Sequence, residues 1–230
     1  MLEIDVASER EMKKRLLVTG ASGLLGSKIA KIAREDYEVI PLYGSKPLNS
    51  NALKLDITER EQVFSLFKKV KLDTVIHTAS ETNVDKCEIQ KDHALRVNVE
   101  GTRNVASACS KLGAKLIYIS TDYVFDGEKG NYTEQDKPNP INYYGVTKLE
   151  GEKQVTQNCQ KYFILRASVL YGWHPWKHVI AICYTAKKVG GQIKAGAKEG
   201  NANFFKINYI PEKLAFDHAK MMKDYISGAA

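Results

Sequence analysis

The chain alternates between short, nearly continuous apolar runs and longer segments whose apolar residues recur every three or four positions. The first kind of segment predicts buried strands, and the second predicts amphipathic helices. The predicted strands span residues 15–20, 37–43, 53–57, 72–80, 115–120 and 162–172. The predicted helices span residues 24–35, 60–70, 93–113 and 138–152. Strands and helices are therefore expected to follow one another along most of the chain.

This alternation predicts the fold class. Strands that are apolar on both faces are typical of a parallel sheet covered by helices on both sides. In the predicted helix 60–70, Val63, Phe67 and Val70 fall on one face, as expected for a helix that packs on such a sheet. The fold class is therefore α/β, with a doubly wound parallel sheet. At 230 residues and 43% hydrophobic content, the chain can bury a full core.

Charge and hydropathy narrow the classes of partner. The net charge is +7, but the basic residues are interspersed with acidic ones, so we expect no nucleic-acid partner. No apolar run reaches the roughly 18 to 20 residues that cross a bilayer, and the charged N-terminus does not resemble a signal peptide. We therefore expect a cytoplasmic location and no membrane partner.

No metal site or disulfide framework is predicted. The four cysteines lack any paired spacing, which favours reduced thiols: Cys87, Cys109, Cys159 and Cys183. His174 and His178 are four residues apart, but Pro175 and Trp176 intervene and no third ligand is evident.

The loop between the first strand and the first helix reads TGASGLLG. Glycines in such a loop let the backbone approach a diphosphate, and the helix N-terminus offers free N–H groups and positive partial charge. A loop of this kind, with a strand before it and a helix after it, predicts dinucleotide binding. The cofactor-binding residues expected here are Gly20, Ser22, Gly23, Leu24, Leu25 and Gly26.

The end of the second strand bears on the choice of cofactor. In NAD-binding proteins an acidic residue at the end of this strand accepts a hydrogen bond from the ribose 2′-hydroxyl. Here the acidic residues lie at the beginning of the strand, and Ser45 and Lys46 follow its end. Ser45 and Lys46 suit a 2′-phosphate, so NADP(H) is the preferred cofactor and NAD(H) an alternative. Asp56, with its neighbour Ile57, follows the third strand and is expected to meet the adenine.

Tyr144 and Lys148 are four residues apart in a predicted helix, so they share one face. A nearby ammonium in a desolvated site, with the charge of a cofactor nearby, would lower the pKa of the phenol toward 7 and let Tyr144 give a proton to a carbonyl oxygen. Gly145 weakens the helix, and we expect it to leave room for a ligand beside the phenol. The alternative is a surface contact between the two side chains without catalytic meaning.

Thr121 lies where the strand 115–120 ends. In open parallel sheets ligands bind beyond the carboxyl ends of the strands, within reach of such a hydroxyl. Capping of a turn is the ordinary alternative. The glycine loop, the strand-end hydroxyl and the Tyr144/Lys148 pair occur together in one chain, which favours a site.

Six segments resemble a known family: TGASGLLG, LKLDIT, VIHTAS, RVNVEGTRNVA, STDYVFDG and YGVTKLEGE. Over residues 13–172 the chain resembles the extended short-chain dehydrogenase/reductases, and among them the dTDP-4-dehydrorhamnose reductases. The resemblance implies a Rossmann-like fold and a catalytic triad. In that triad Tyr144 donates the proton, Lys148 binds the nicotinamide ribose and Thr121 holds the substrate carbonyl. The further residues implied are Thr78, Ala79 and Ser80 as cofactor contacts, and Asn98 in a structural or cofactor-side role.

The resemblance also implies a domain organisation. Residues 1–12 would be an N-terminal extension, residues 13–172 the dinucleotide-binding domain and residues 173–230 an abbreviated substrate-binding lobe. Val169 stands where rhamnose reductases typically carry a tryptophan, so packing against the sugar is expected to differ.

We interpret the chain as an NADPH-dependent reductase of the 4-keto group of a nucleotide-linked deoxysugar. Dehydratase relatives carry an Asp-Glu pair, whereas here Asp122 is followed by Tyr123, which disfavours removal of water. Two alternatives stay open: a non-catalytic cofactor-binding protein resembling the methionine adenosyltransferase regulatory subunit, and a sugar-nucleotide epimerase. The expected partner is the nucleotide-sugar substrate, and a homodimer is one assembly open to the chain.

Overall fold

The computed structural model describes residues 13–168 and Leu170, which contain a six-stranded parallel sheet. The strands are β1 Arg15–Thr19, β2 Glu38–Tyr43, β3 Leu53–Lys54, β4 Thr74–His77, β5 Lys115–Thr121 and β6 Tyr162–Ala167. Their order across the sheet is β3-β2-β1-β4-β5-β6. Every neighbouring pair is parallel. The predicted α/β fold, Rossmann-like and doubly wound, is confirmed.

Helices connect the strands. They are α1 Leu24–Ile32, α2 Arg60–Val70, α3 Val84–Ile89, α4 Lys91–Leu95, α5 Thr102–Leu112 and α6 Tyr143–Asn158. A π-helical segment, Arg96–Gly101, joins α4 to α5, and short 3-10 turns follow α1 and β5. No helix among the described residues is long and apolar enough to cross a membrane.

The core lies on both faces of the sheet. On one face Leu17, Val75 and Leu116 are fully buried, and helices α2, α5 and α6 pack against them. On the other face Leu16 and Val18 pack with residues of α1 and its neighbours. Because successive strand residues point to opposite faces, β1 needs an apolar residue at every position to serve both layers.

The strand order places a crevice beside β1. The chain leaves β1 towards β2 on one side, and β4 pairs with the other side of β1, with Leu17 level with both Ile40 and Val75. Such a switch point separates the loops that follow the two central strands and opens a ligand-binding crevice between them. The glycine loop after β1 and residues 78–80 after β4 both lie at this point.

Several predicted elements differ in extent. The third strand is two residues long, and the predicted helix 93–113 is divided by the π-helical segment. Helix α3 was not predicted, since six residues are too few to show a helical period. Helix α6 begins at Tyr143 because the Asn142 side chain caps it, accepting a hydrogen bond from the Gly145 backbone N–H at 2.8 Å.

Some predictions fall outside the described residues. These are the N-terminal extension 1–12, the substrate-binding region 173–230, and the side chains of Val169, His174, His178 and Cys183. The other three cysteines, Cys87, Cys109 and Cys159, are buried free thiols. Within the described part of the chain no cluster of His, Cys, Asp and Glu has the geometry to hold a metal ion.

Candidate active site

The glycine loop turns sharply against the end of β4. Gly20 has a φ of +63°, in the left-handed region, and a Cβ at this position would lie 2.8 Å from the backbone of Ala79. Only glycine satisfies both conditions without strain. The loop then closes through a hydrogen bond from the Gly23 backbone N–H to the Gly20 carbonyl, 2.9 Å long. The two loops at the switch point are therefore in direct backbone contact.

The N-terminus of α1 is suited to an anion. No side chain caps this helix at Gly23. The N–H groups of its first residues, including Leu24, Leu25 and Gly26, have no partner within the helix itself. Ser22, Gly23, Leu24 and Leu25 are half-buried and Gly26 is buried, so these groups lie in a partly desolvated cradle. The six residues predicted for cofactor binding therefore all belong to one loop and the first turn of the helix that follows it.

Residues 78–80 are fastened to the end of β1 by hydrogen bonds. The Thr78 hydroxyl donates to the Thr19 carbonyl at 2.6 Å, and the backbone N–H groups of Thr78 and Ala79 each donate to the Thr19 hydroxyl at 3.2 Å. The Ser80 hydroxyl donates to Asn98 Oδ1 at 2.9 Å. The structure therefore brings Thr78, Ala79 and Ser80 beside the glycine loop.

Asn98 is buried in the π-helical segment and all of its amide groups are used. Its Oδ1 accepts from Ser80 and from the Glu81 backbone N–H, and its Nδ2 donates to the Glu81 carbonyl and to Thr147 Oγ1, both at 3.0 Å. The side chain therefore joins the loop after β4 to α6. Two roles were predicted for Asn98, a structural one and one on the cofactor side. This geometry supports the structural role.

Of the residues predicted around the adenine half of a cofactor, three are exposed to solvent and one is buried. Ser45 and Lys46 are exposed beyond the end of β2. Asp56 is also exposed, and its Oδ1 accepts hydrogen bonds from the backbone N–H and the hydroxyl of Thr58 at 2.9 and 2.8 Å. Ile57 is buried in the core cluster.

Thr121 and Tyr144 meet at the end of β5. Thr121 is buried, and its hydroxyl donates to Asp122 Oδ1 at 3.1 Å and accepts from the Tyr123 backbone N–H at 3.2 Å. Burial raises the pKa of the Tyr144 phenol to about 12, and side-chain hydrogen bonding with Thr121 partly opposes that rise. In the protein alone, desolvation outweighs every favourable contact of the phenolate. The predicted fall toward 7, which also needs the cofactor's charge, stays a prediction.

Lys148 is 3% exposed. Its Nζ donates to the Ile119 carbonyl at 2.6 Å and lies 4.2 Å from the ring centroid of Tyr118. Burial lowers the pKa of Lys148 to about 7, and the charge of Glu152 partly opposes that shift. The lysine is therefore a buried group held against β5, which excludes the alternative of a surface contact for this pair.

An ion pair between buried Glu152 and half-buried Arg166 lies beside the lysine. Glu152 Oε1 accepts from the Ser120 hydroxyl at 2.6 Å and from Arg166 Nε at 2.9 Å, while Oε2 accepts from an Arg166 terminal nitrogen at 2.8 Å. This two-point pairing fixes α6 against β5 and β6. Sequence reasoning missed it, although Glu152 lies one helical turn after Lys148 and Arg166 is a charge inside a predicted strand.

Gly145 serves helix packing instead of ligand access. A Cβ at this position would collide with the carbonyl oxygen of Tyr123 and lie 3.0 Å from the Pro140 side chain. The expectation that Gly145 leaves room for a ligand is therefore wrong, since backbone fills the space. The close approach brings Tyr144 to the segment that carries Thr121.

His77 is the other residue that sequence reasoning missed. It is fully buried at the end of β4, between the hydroxyls of Thr19 and Thr102. The available signal was a lone titratable residue inside an otherwise apolar strand, followed by a threonine.

Comparisons with known proteins agree with this geometry. The family model described as RmlD substrate binding domain matches residues 13–193. The chain is 39% identical over 159 residues to methionine adenosyltransferase 2 subunit beta of Rattus norvegicus, covering 69% of this chain and 48% of that protein. It is also 39% identical over 161 residues to dTDP-4-dehydrorhamnose reductase of Aggregatibacter actinomycetemcomitans, covering 69% of this chain and 52% of that protein.

A solved structure shares both the fold and the sequence pattern. It is dTDP-4-dehydrorhamnose reductase from Bacillus anthracis in complex with NADP, with a TM-score of 0.66 and 39% identity, covering 73% of this chain and 57% of that one. The predicted resemblance is confirmed. The chain spans about half the length of the curated relatives it matches.

Proposed function

We propose that this chain, which belongs to the RmlD substrate binding domain family, reduces the 4-keto group of a nucleotide-linked deoxysugar with NADPH. The observation that carries the proposal is the meeting of Thr121 and Tyr144 at the end of β5, with Lys148 buried one helical turn further along α6. A strand-end hydroxyl, a phenol and a buried amine beside a dinucleotide-type loop are the groups that ketone reduction requires.

The residues present fit a nicotinamide dinucleotide. The Gly20 turn has no room for a Cβ, and the N-terminus of α1 has no side-chain cap, which together suit a diphosphate. Ser45 and Lys46 would receive the 2′-phosphate of NADP(H), and Asp56 would lie near the adenine. The Bacillus anthracis reductase, which is bound to NADP, supports this choice, and NAD(H) remains the alternative.

The raised pKa of Tyr144 suits the direction of reduction. A phenol with a pKa of about 12 is protonated at neutral pH, so it is a ready proton donor. NADPH bound at this site supplies a hydride to the carbonyl carbon. Thr121 orients the carbonyl oxygen once its hydroxyl hydrogen turns from Asp122 to the substrate. Tyr144 transfers its proton to that oxygen as negative charge develops there. Lys148, one helical turn further along α6, would stabilise the phenolate that remains whenever it carries its proton.

A second candidate is a cofactor-binding regulatory subunit without turnover. The 39% identity to methionine adenosyltransferase 2 subunit beta favours it. Its site would bind NADPH in the same cradle, so cofactor binding alone does not distinguish a reductase from a regulatory subunit. Only turnover of a keto-sugar distinguishes them.

The decisive experiment pairs NADPH titration with turnover of dTDP-4-keto-6-deoxy-L-mannose, followed by loss of NADPH absorbance. For the purified full chain we expect NADPH binding and oxidation that depends on the keto-sugar. Tyr144→Phe should keep the wild-type Kd for NADPH and lose about 10²–10⁴-fold in kcat, the usual contribution of a positioned proton donor.

Tyr143→Phe is the matched control, because it removes a phenol from the adjacent helix position. It should retain wild-type turnover. Binding of NADPH by all three proteins, without oxidation by any keto-sugar, would reject the reductase and leave the regulatory subunit. Full activity in Tyr144→Phe would reject the role assigned to that phenol.

The remaining expectations stay proposals. A cytoplasmic location is supported by the free thiols of Cys87, Cys109 and Cys159, since reducing compartments keep cysteines unpaired. The homodimer and the division of the chain at residues 172 and 173 stay predictions.

A further inference from the structure

His77 bridges two threonine hydroxyls in the interior of the protein. Its Nδ1 is 2.7 Å from Thr19 Oγ1, and its Nε2 is 3.1 Å from Thr102 Oγ1. The ring is fully buried and its centroid lies 5.7 Å from that of Tyr118. Nothing in the proposed reaction uses this imidazole.

The surrounding hydrogen bonds determine which ring nitrogen carries the proton. The Thr102 hydroxyl donates its single hydrogen to the Asn98 carbonyl at 2.7 Å, so towards His77 it can only accept. His77 therefore carries its proton on Nε2, and its bare Nδ1 accepts the hydrogen of the Thr19 hydroxyl. The Thr19 oxygen then has its lone pairs free for the N–H groups of Thr78 and Ala79, both 3.2 Å away.

The arrangement works only with a neutral ring. An imidazolium would donate from both nitrogens, and Thr19 would have to turn its hydrogen away from Nδ1 and towards the two backbone N–H groups. Burial, reinforced by the charge of Lys148, lowers the pKa of His77 to about 3, so the ring stays neutral over the physiological range.

We propose that His77, neutral and protonated on Nε2, is a positioning residue that fixes the two loops of the cofactor site through the Thr19 hydroxyl. One loop begins at Gly20, directly after Thr19. The other is residues 78–80, whose first two N–H groups Thr19 binds. The part of this inference that concerns the cofactor rests on the proposed function.

The tolerance at this contact is small. A Cβ on Gly20 would lie 2.8 Å from Ala79, so the two backbones already touch. A change in the direction of the Thr19 hydroxyl would release Thr78 and Ala79 and alter the width of the crevice where a diphosphate would lie.

The same chain of hydrogen bonds continues to α6. Thr102 holds the Asn98 carbonyl, Asn98 Nδ2 donates to Thr147 Oγ1 at 3.0 Å, and the Thr147 hydroxyl donates to the Tyr144 carbonyl at 2.8 Å. His77 thus lies in one hydrogen-bonded path between the glycine loop and the helix that carries the proton donor.

The test uses the full-length protein and the variant His77→Phe, which keeps an aromatic ring and removes both nitrogens. We expect the amide hydrogens of Thr78 and Ala79 to exchange at least about tenfold faster than in wild type, as for the loss of one net hydrogen bond. We also expect the Kd for NADPH to rise about tenfold. Val63→Ala is the control for general destabilisation, since Val63 is buried in α2 outside the network; it should change neither quantity.

A second measurement reads the tautomer directly. In wild type labelled with ¹⁵N histidine, two-bond ¹H–¹⁵N spectra should show His77 protonated on Nε2 alone. Thr102→Val removes the acceptor at nearly constant volume, so it should give a mixture of tautomers and faster exchange of the same amides. This variant also serves if His77→Phe does not fold.

Protonation of wild-type His77 on Nδ1, or unchanged amide exchange in the folded variants, would overturn the inference. A Kd for NADPH within twofold of wild type, with faster exchange, would overturn its cofactor part. If wild type binds neither NADPH nor NADH, the proposed function fails, and amide exchange and the tautomer still decide whether His77 positions the loops.

Discussion

His77 and Lys148 are two buried bases, and desolvation moves the pKa of each in the same direction. The pKa of Lys148 falls to about 7 and that of His77 to about 3. A base whose pKa falls on folding binds fewer protons in the native state than in the unfolded chain, so the unfolded chain gains relative stability as the pH drops. The effect of Lys148 falls between its unfolded pKa of 10.5 and its folded pKa of about 7, on the alkaline side, so of the two only His77 contributes to the acid sensitivity of the fold.

For His77 this linkage predicts a measurable pH dependence. Between its unfolded pKa of 6.5 and its folded pKa of about 3, only the unfolded chain takes up a proton, so stability is full above 6.5 and is lost as the pH falls. From about pH 7 to about pH 5 this single group should remove about 2 kcal/mol from the free energy of unfolding. Urea unfolding of wild type and His77→Gln at both pH values measures the difference.

Carboxylates also titrate over this interval, but they are common to both proteins and cancel in the comparison. Equal pH dependence in wild type and His77→Gln would show that His77 is accessible to protons in the native state.

At this scale the sequence predicted which side chains share a helix face but not their protonation. The spacing of Tyr144 and Lys148 placed them on one helical face. Their pKa values depend on burial, which spacing does not reveal, and in the protein alone burial raises the pKa of the phenol. His77 was missed because its partners, Thr19 and Thr102, come from distant parts of the chain.

Helix α6 shows how an element is positioned by contacts outside its own sequence. Its N-terminus is capped by Asn142, and the Tyr143 backbone N–H donates to Glu88 of α3 at 2.7 Å. Its first turn passes so close to Tyr123 that only glycine fits at position 145. These contacts fix where Tyr144 lies relative to the end of β5.

Gly145→Ala sets two effects of opposite sign against each other. Helix propensity alone would stabilise the protein by about 1 kcal/mol. Collision of the new methyl group with the Tyr123 backbone should cost about 1–3 kcal/mol, because backbone cannot move aside as a flexible side chain can. We expect net destabilisation by chemical denaturation, together with loss of turnover as Tyr144 moves.

Gly44→Ala is the matched control for the stability measurement. A Cβ at Gly44 would have no heavy atom within 4 Å, so this change should be neutral or slightly stabilising. A Gly145→Ala protein as stable as wild type would mean that the helix and Tyr123 separate at little cost.

Helices and strands were predicted correctly where the segment was long enough to show a clear hydrophobic period. Helix α2 was predicted at its observed bounds, residues 60–70, because its apolar face spans three turns. The predicted helix 93–113 was interrupted because the π-helical segment carries Asn98 into a buried network, and periodicity alone does not register such a bulge. Helix α3 was too short to detect.

At the scale of the whole molecule, the alternation of strands and helices sufficed to predict a parallel sheet with two helical layers. The strand order places the glycine loop after β1 and the loop after β4 at the switch point, where the chain stops adding strands on one side of β1 and begins adding them on the other. The predicted triad lies at the end of the next strand, β5, and on helix α6. A dinucleotide across this edge would therefore contact segments that are far apart in sequence.

Cofactor binding should then stabilise the whole molecule against unfolding. Alanine substitutions at two glycines distinguish loss of cofactor binding from backbone strain alone. Gly20 and Gly113 both have positive φ values, +63° and +75°, but Gly113 ends α5 and has no neighbour that a Cβ would touch. Alanine at either position should lower the melting temperature, because alanine is strained in this conformation.

NADPH at one hundred times its Kd should stabilise wild type and Gly113→Ala by about 2.7 kcal/mol. Gly20→Ala should show little or no stabilisation at the same concentration, since the methyl group displaces the loop from Ala79. Thermal unfolding of the three proteins with and without NADPH measures this, and equal stabilisation of Gly20→Ala would place the cofactor away from the glycine loop.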